Sequence, residues 1–144
     1  MNANAKPSPD VNSPEGLGKA AAEAVLDKEK SLLPAVVRLN EQKVARGFWP
    51  KIRKVAARIP FADDALSVWW CVRDPATPAA AKGLMLAALA YFVLPTDAIP
   101  DMIAGLGFTD DAAVLAAVLA VVGKHVKPAH KAAARGFLDR LADD

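Results

Sequence analysis

Two apolar runs without a charged residue, 83–94 and 112–122, constrain this chain more than any other feature. Both are rich in alanine, leucine and valine, which favour helix over strand. A helix that is apolar on every side has to be buried, in protein or in lipid. No stretch alternates apolar and polar residues between turn signals, so strands are not expected. The fold class that follows is all-α: a small helical bundle around a central apolar helical hairpin. The stretch joining the two runs, Tyr91 to Asp111, holds two prolines, two glycines and four aspartates.

Length limits how the pair can meet a membrane. The uncharged run from Gly83 to Thr96 is about 14 residues and that from Ala112 to Gly123 about 12, whereas a bilayer core needs roughly 20 helical residues. Extending either run draws in Asp97 and Asp101, or Asp110 and Asp111, at about 2.5–3.5 kcal/mol each near the bilayer centre. A shallow hairpin with Lys82 and Lys124 at one surface fits better than a span. A hairpin covered by the other helices is the simpler alternative.

The rest of the 144 residues reads as one globular unit with a tail. Residues 1–16 are polar with three prolines and are expected to be disordered. Residues 17–46 supply N-terminal helices, one from Leu17 to Leu33 and one opened by Pro34 and closed by Gly47. A helical domain covers 47–128. It contains a basic helix from Phe48 to Ile59, a helix from Ala65 to Val72 capped by Asp63 or Asp64, and a helix started by Thr77-Pro78. Its last helix has Thr109 as cap and Asp110 and Asp111 in the first turn, with Val114, Leu115, Val118, Leu119 and Val122 as a bulky stripe. Ala113, Ala116, Ala117 and Ala120 form a small stripe beside it that permits close helix approach. Residues 129–144 form a C-terminal amphipathic helix. Trp69 and Trp70 point about 100° apart on their helix, so one is expected inside and one at an edge.

Charge is segregated behind a net value of +2. Arg38 to Arg58 has seven basic residues against Glu41, while Pro60 to Ala120 has seven aspartates against Arg73 and Lys82. In the helix from Phe48 to Ile59, Trp49, Lys51, Arg53, Lys54 and Arg58 have the composition of a helix lying on an anionic membrane surface. An ordinary surface helix with a solvated basic side explains the same residues. Broad nucleic-acid binding is disfavoured, because the neighbouring acidic segment opposes a phosphate track.

Asp97 and Asp101 lie four apart, on one face of any helix there, and Asp110 and Asp111 follow about ten residues later. Brought together, these four oxygen ligands suit Mg, Ca or Mn. The competing reading is that each caps a helix or pairs with a cation. No catalytic residue is assigned. His125 and His130 lie on basic segments expected to be exposed and without a partner, and Ser67 and Cys71 lack a nucleophile's setting. The lone cysteine excludes an intrachain disulfide, and no apolar run at the N-terminus suggests a signal peptide.

Tyr91, Pro95, Asp97, Ile99, Pro100 and Asp101, then Leu106-Gly107 and Asp110-Asp111, form a pattern that resembles the YkvA family of small bacterial helical domains of unknown function. Phe48-Trp49 and Asp74-Pro75-Ala-Thr-Pro78 also look like that family, and the resemblance covers about 47–128. Ala98 departs from the family's usual leucine, a difference in packing. The resemblance implies membrane association and brings no activity with it. The expectation is a membrane-associated helical binding or scaffold module at the cytoplasmic face of a bacterial inner membrane, with an anionic membrane surface and a protein as partners and no small-molecule substrate specified. The alternative is a soluble, cytoplasmic helical protein holding a divalent cation through its aspartates, up to and including a metal-dependent enzyme.

Overall fold

A computed structural model describes residues 14–93 and 104–143, with side chains described for 19–93 and 112–143. Seven α-helices occupy this part: α1 (Pro14–Val25), α2 (Lys28–Ser31), α3 (Pro34–Val55), α4 (Ala62–Arg73), α5 (Ala79–Val93), α6 (Ala104–Val122) and α7 (Pro128–Asp143). One turn of 3-10 helix, Gly123–His125, leads into α7, and no strand occurs among the described residues. The all-α expectation holds.

The bundle is built around α5. Its mean composition offers no polar side, and Leu84, Met85, Leu86, Leu89 and Phe92 are all buried. Helices α1, α2, α3, α4 and α6 pack on it from different directions, with α3 and α6 making the longest contacts. Burying each of those large side chains is worth about 1.5–3 kcal/mol, so the helix is stable only inside this wrapping. Two glycines permit the closest approaches. A Cβ on Gly47 of α3 would overlap the Val93 side chain of α5, and one on Gly83 of α5 would overlap Leu32. Elsewhere α1 packs along α6 and α4 along α7. The turn expected to complete a central hairpin between α5 and α6, with Asp97 and Asp101, lies outside the described residues.

Several expected boundaries shift. The first helix does not run from Leu17 to Leu33: Asp27 breaks it by accepting from the Glu29 and Lys30 amides and capping α2. Ser31 then turns inward and donates to the Val25 carbonyl at 2.6 Å, fastening the break. Residues 14–16, placed in the tail by composition, are already helical. Gly47 does not end a helix, because it is the point where α3 crosses Val93 of α5. The helix continues through Pro50 to Val55, so the boundary expected at residue 47 falls inside one element.

At α4 the cap position is Phe61, without a side-chain cap, and Asp63 and Asp64 occupy the first turn, where the helix dipole favours acids. The Thr77 hydroxyl donates to the Cys71 carbonyl at 2.7 Å and closes the end of α4. Helix α6 begins at Ala104, so Thr109, Asp110 and Asp111 lie within the helix, and its N-terminal cap is not theirs. Val114, Leu115, Val118 and Val122 face the core, as their spacing requires. Of the small-residue stripe, Ala116 and Ala120 are exposed and Ala113 and Ala117 half-buried, and Val121 beside it is exposed as well.

Pro50 gives a direct test of this frame. It has no amide hydrogen, so the Arg46 carbonyl lacks its helical donor in the middle of α3. Pro50 is exposed, leaving room for the backbone to straighten. Pro50→Ala is expected to stabilise the protein by about 2 kcal/mol, after allowing for the freer unfolded chain. Chemical denaturation reads this directly, and an unchanged or lower midpoint would show that the packing of α3 depends on the proline.

Candidate functional site

The basic segment of α3 has one side committed to the protein. Phe48 and Ile52 are completely buried, and Trp49 is half-buried in an aromatic cluster. Its ring centroid lies 4.9 Å from Trp69 and 4.9 Å from Phe137, and 5.8 Å from Trp70, all edge-on. Such edge-to-face contacts favour the positive rim of one ring against the negative face of the next. Trp69 and Trp70 are both half-buried within this one cluster, so the expected division into an inner and an outer indole does not occur.

Lys51 also turns toward the protein. Its ammonium donates to the Phe92 carbonyl in the last turn of α5 and lies 4.7 Å from the centre of the Phe92 ring. The helix dipole favours a cation at that end, so Lys51 ties α3 to α5. Arg53, Lys54 and Arg58 remain exposed, with the Arg53 guanidinium 5.9 Å from the Trp49 ring centre. None of these three has an ion-pair partner among the described residues. Of the five residues expected at a membrane surface, the fold thus uses two internally and leaves three exposed.

Among the described residues, no group of three or more His, Cys, Asp or Glu could hold a metal ion. Asp97 and Asp101 are outside the described residues, and the side chains of Asp110 and Asp111 in α6 are likewise not described.

The polar constellation that sequence reasoning missed joins α4 to α7. His130, expected at the surface without a partner, is 6% exposed and buried between them. Its Nδ1 accepts from the Lys127 amide at 2.9 Å, a third-residue side chain reaching back to the helix cap. The proton therefore sits on Nε2, which donates to Asp74 Oδ2 at 2.9 Å. Asp74 Oδ1 accepts from the Ala76 amide at 2.9 Å, and the Lys127 ammonium stands 3.5 Å from Oδ2. Cys71, buried one turn earlier, donates its thiol to the His125 carbonyl at 3.2 Å. Both imidazole nitrogens and both carboxylate oxygens are thereby engaged, and the thiol has no basic nitrogen beside it. The arrangement orders two helix ends and lacks the free base that acid–base or nucleophilic chemistry needs. Asp74 and His130 are 56 positions apart. Only the unusual Pro-x-His at the start of α7 hints at the link.

Residues 81–117, which cover most of α5 and the larger part of α6, match the family model described as "Protein of unknown function (DUF1232)". A stretch of 48 residues is 48% identical to a protein of Bacillus subtilis (strain 168) named "Uncharacterized membrane protein YkvA". That alignment covers 33% of this chain and 45% of the Bacillus protein, less than half the relative's length. No solved structure matches. The similarity to the YkvA family expected from the Asp-rich stretch is therefore found, centred on α5 and α6. Among the described residues, no helix is long and apolar enough to cross a membrane.

The Asp74 joint has a signed pH dependence. The Ala76 amide, then the His130 hydrogen bond and the Lys127 charge, hold the Asp74 carboxyl below its ordinary value, against an opposing desolvation. A depressed acid contributes stability above its unfolded value, near 3.9, and loses it as pH falls through the lower folded value. Asp74→Asn is expected to lower the melting temperature at pH 7, and the difference from wild type should shrink steadily below about pH 4. Thermal melts between pH 7 and pH 2 check it; a gap that does not depend on pH would assign the effect to packing.

Proposed function

We propose that this protein is a helical binding module that associates with the face of an anionic membrane through the outer side of α3 and the turn that follows it. The observation that carries this reading is the exposed trio Arg53, Lys54 and Arg58, without acidic partners among the described residues. The apolar side of the same helix is packed under Trp69 and Phe92, so attraction at the surface is electrostatic rather than by insertion of that side. The membrane name of the Bacillus relative supports the location. A cytoplasmic face follows from the anionic lipid it would meet there.

Each basic residue near an anionic surface contributes about 1 kcal/mol, so three contribute about 3 kcal/mol, a factor of roughly 100. The triple variant Arg53→Gln, Lys54→Gln, Arg58→Gln is expected to lose that factor in co-sedimentation with phosphatidylserine-containing vesicles. Wild-type binding should also weaken with added salt, because exposed charges are screened. Binding that the triple variant retains in full would refute the reading.

A further inference from the structure

A groove of about 610 Å³ opens between α3, α4 and α5, on residues separate from the basic trio. Glu41 and Trp49 come from α3, Trp69 and Arg73 from α4, and Lys82 and Leu86 from α5. The spacing explains the lining: Lys82 and Leu86 are one helical turn apart, and Glu41 and Trp49 two turns apart, so each pair shares a face. The volume lies within the range of small-molecule sites, which combine apolar walls with a few convergent polar groups.

The charges in this groove are unbalanced. Arg73 and Lys82 supply two cations against Glu41, and none of the three has an ion-pair partner among the described residues. Lys82 is half-buried, although it belongs to the otherwise apolar α5, and withdrawing an unpaired ammonium from water is unfavourable. Arg73 is held with its guanidinium 4.9 Å from the Trp69 ring centre. Stacking in this way leaves the edge of the planar fork, with its N–H donors, free to meet an oxyanion. Two indoles and the buried Leu86 line the same groove.

The geometry points to this groove as a binding site for an anionic amphiphile. Arg73 and Lys82 hold its acidic headgroup, and its single apolar chain lies against Trp49, Trp69 and Leu86. A carboxylate and a phosphate share the chemistry that the cations recognise. Glu41 opposes either one and limits affinity. This site goes beyond the surface association proposed above and does not depend on it.

Two of the protein's three tryptophans line the groove, so intrinsic fluorescence of the full chain reports occupancy. The probes are dodecanoate, dodecyl phosphate, dodecanol and dodecyltrimethylammonium, each below its micelle-forming concentration. One or both anions should give a saturable change, with dodecanol at least ~10-fold weaker and the ammonium weaker still. The tighter of the two anions identifies the headgroup. Arg73→Gln with Lys82→Gln should lose ~10–100-fold for the anions, Arg73→Gln alone should lose part of that, and Glu41→Gln should tighten binding. Circular dichroism verifies folding, and Arg73 and Glu41 are exposed enough for their single variants to fold. Lys54→Gln with Arg58→Gln, which leaves the Arg53 contact with Trp49 intact, should bind the probes as wild type does, which separates this site from the membrane face. Equal affinity for all four probes, no saturable binding, or no effect of the Arg73, Lys82 and Glu41 changes would overturn the proposal.

Discussion

The rest of the structure depends on covering α5. Its sequence from Gly83 to Val93 is apolar apart from Tyr91, and a helix of that kind in water would expose apolar area on every side. Five other helices contribute to the cover, so α5 acts as the axis on which the bundle is assembled. The positions of Gly47 and Gly83 follow from the same requirement, because each lies where a neighbouring side chain comes too close for a Cβ. The Lys51 contact with the Phe92 carbonyl serves it too, by tying α3 to the buried helix through a cation.

Covering α5 decides what α3 can offer to a partner. A basic helix with aromatics at one end has the composition of an interfacial anchor, but its apolar side is used here. Phe48 stacks near Trp69 and sits edge-on to Phe92, while Trp49 meets Phe137 of α7. What reaches solvent is cationic, and its attraction to anions acts at longer range and is more sensitive to salt than insertion of a ring. The groove beside it keeps both kinds of chemistry together, lined by two indoles and by two cations without ion-pair partners among the described residues.

The aromatic cluster and the Asp74 joint hold α7 in place by different means. Phe137 brings ring packing, and the Asp74 carboxylate ties the end of α4 to the capped start of α7 through His130. This joint is sensitive to acid, whereas the ring contacts are not, so the two contributions separate experimentally. The exposed Ala116, Ala120 and Val121 on α6 are an apolar surface, and nothing in the structure shows what covers it.

Much of the fold was legible from local chemistry. The apolar runs, the Thr-Pro and Pro starts, and the spacing of Val114, Val118 and Val122 are properties of nearby residues, and they located α5, α6 and the core side of α6. The Asp-rich pattern between them likewise pointed to the YkvA family. Residue order could not decide whether Gly47 and Pro50 end a helix, because a turn breaker is overridden when the helix around it gains enough burial, and that gain comes from α5. It could not find the Asp74–His130 pair or the groove of Arg73 and Lys82 either. Those depend on which helix faces are brought together, and partners such as Asp74 and His130, 56 positions apart, meet only when the tertiary packing places them.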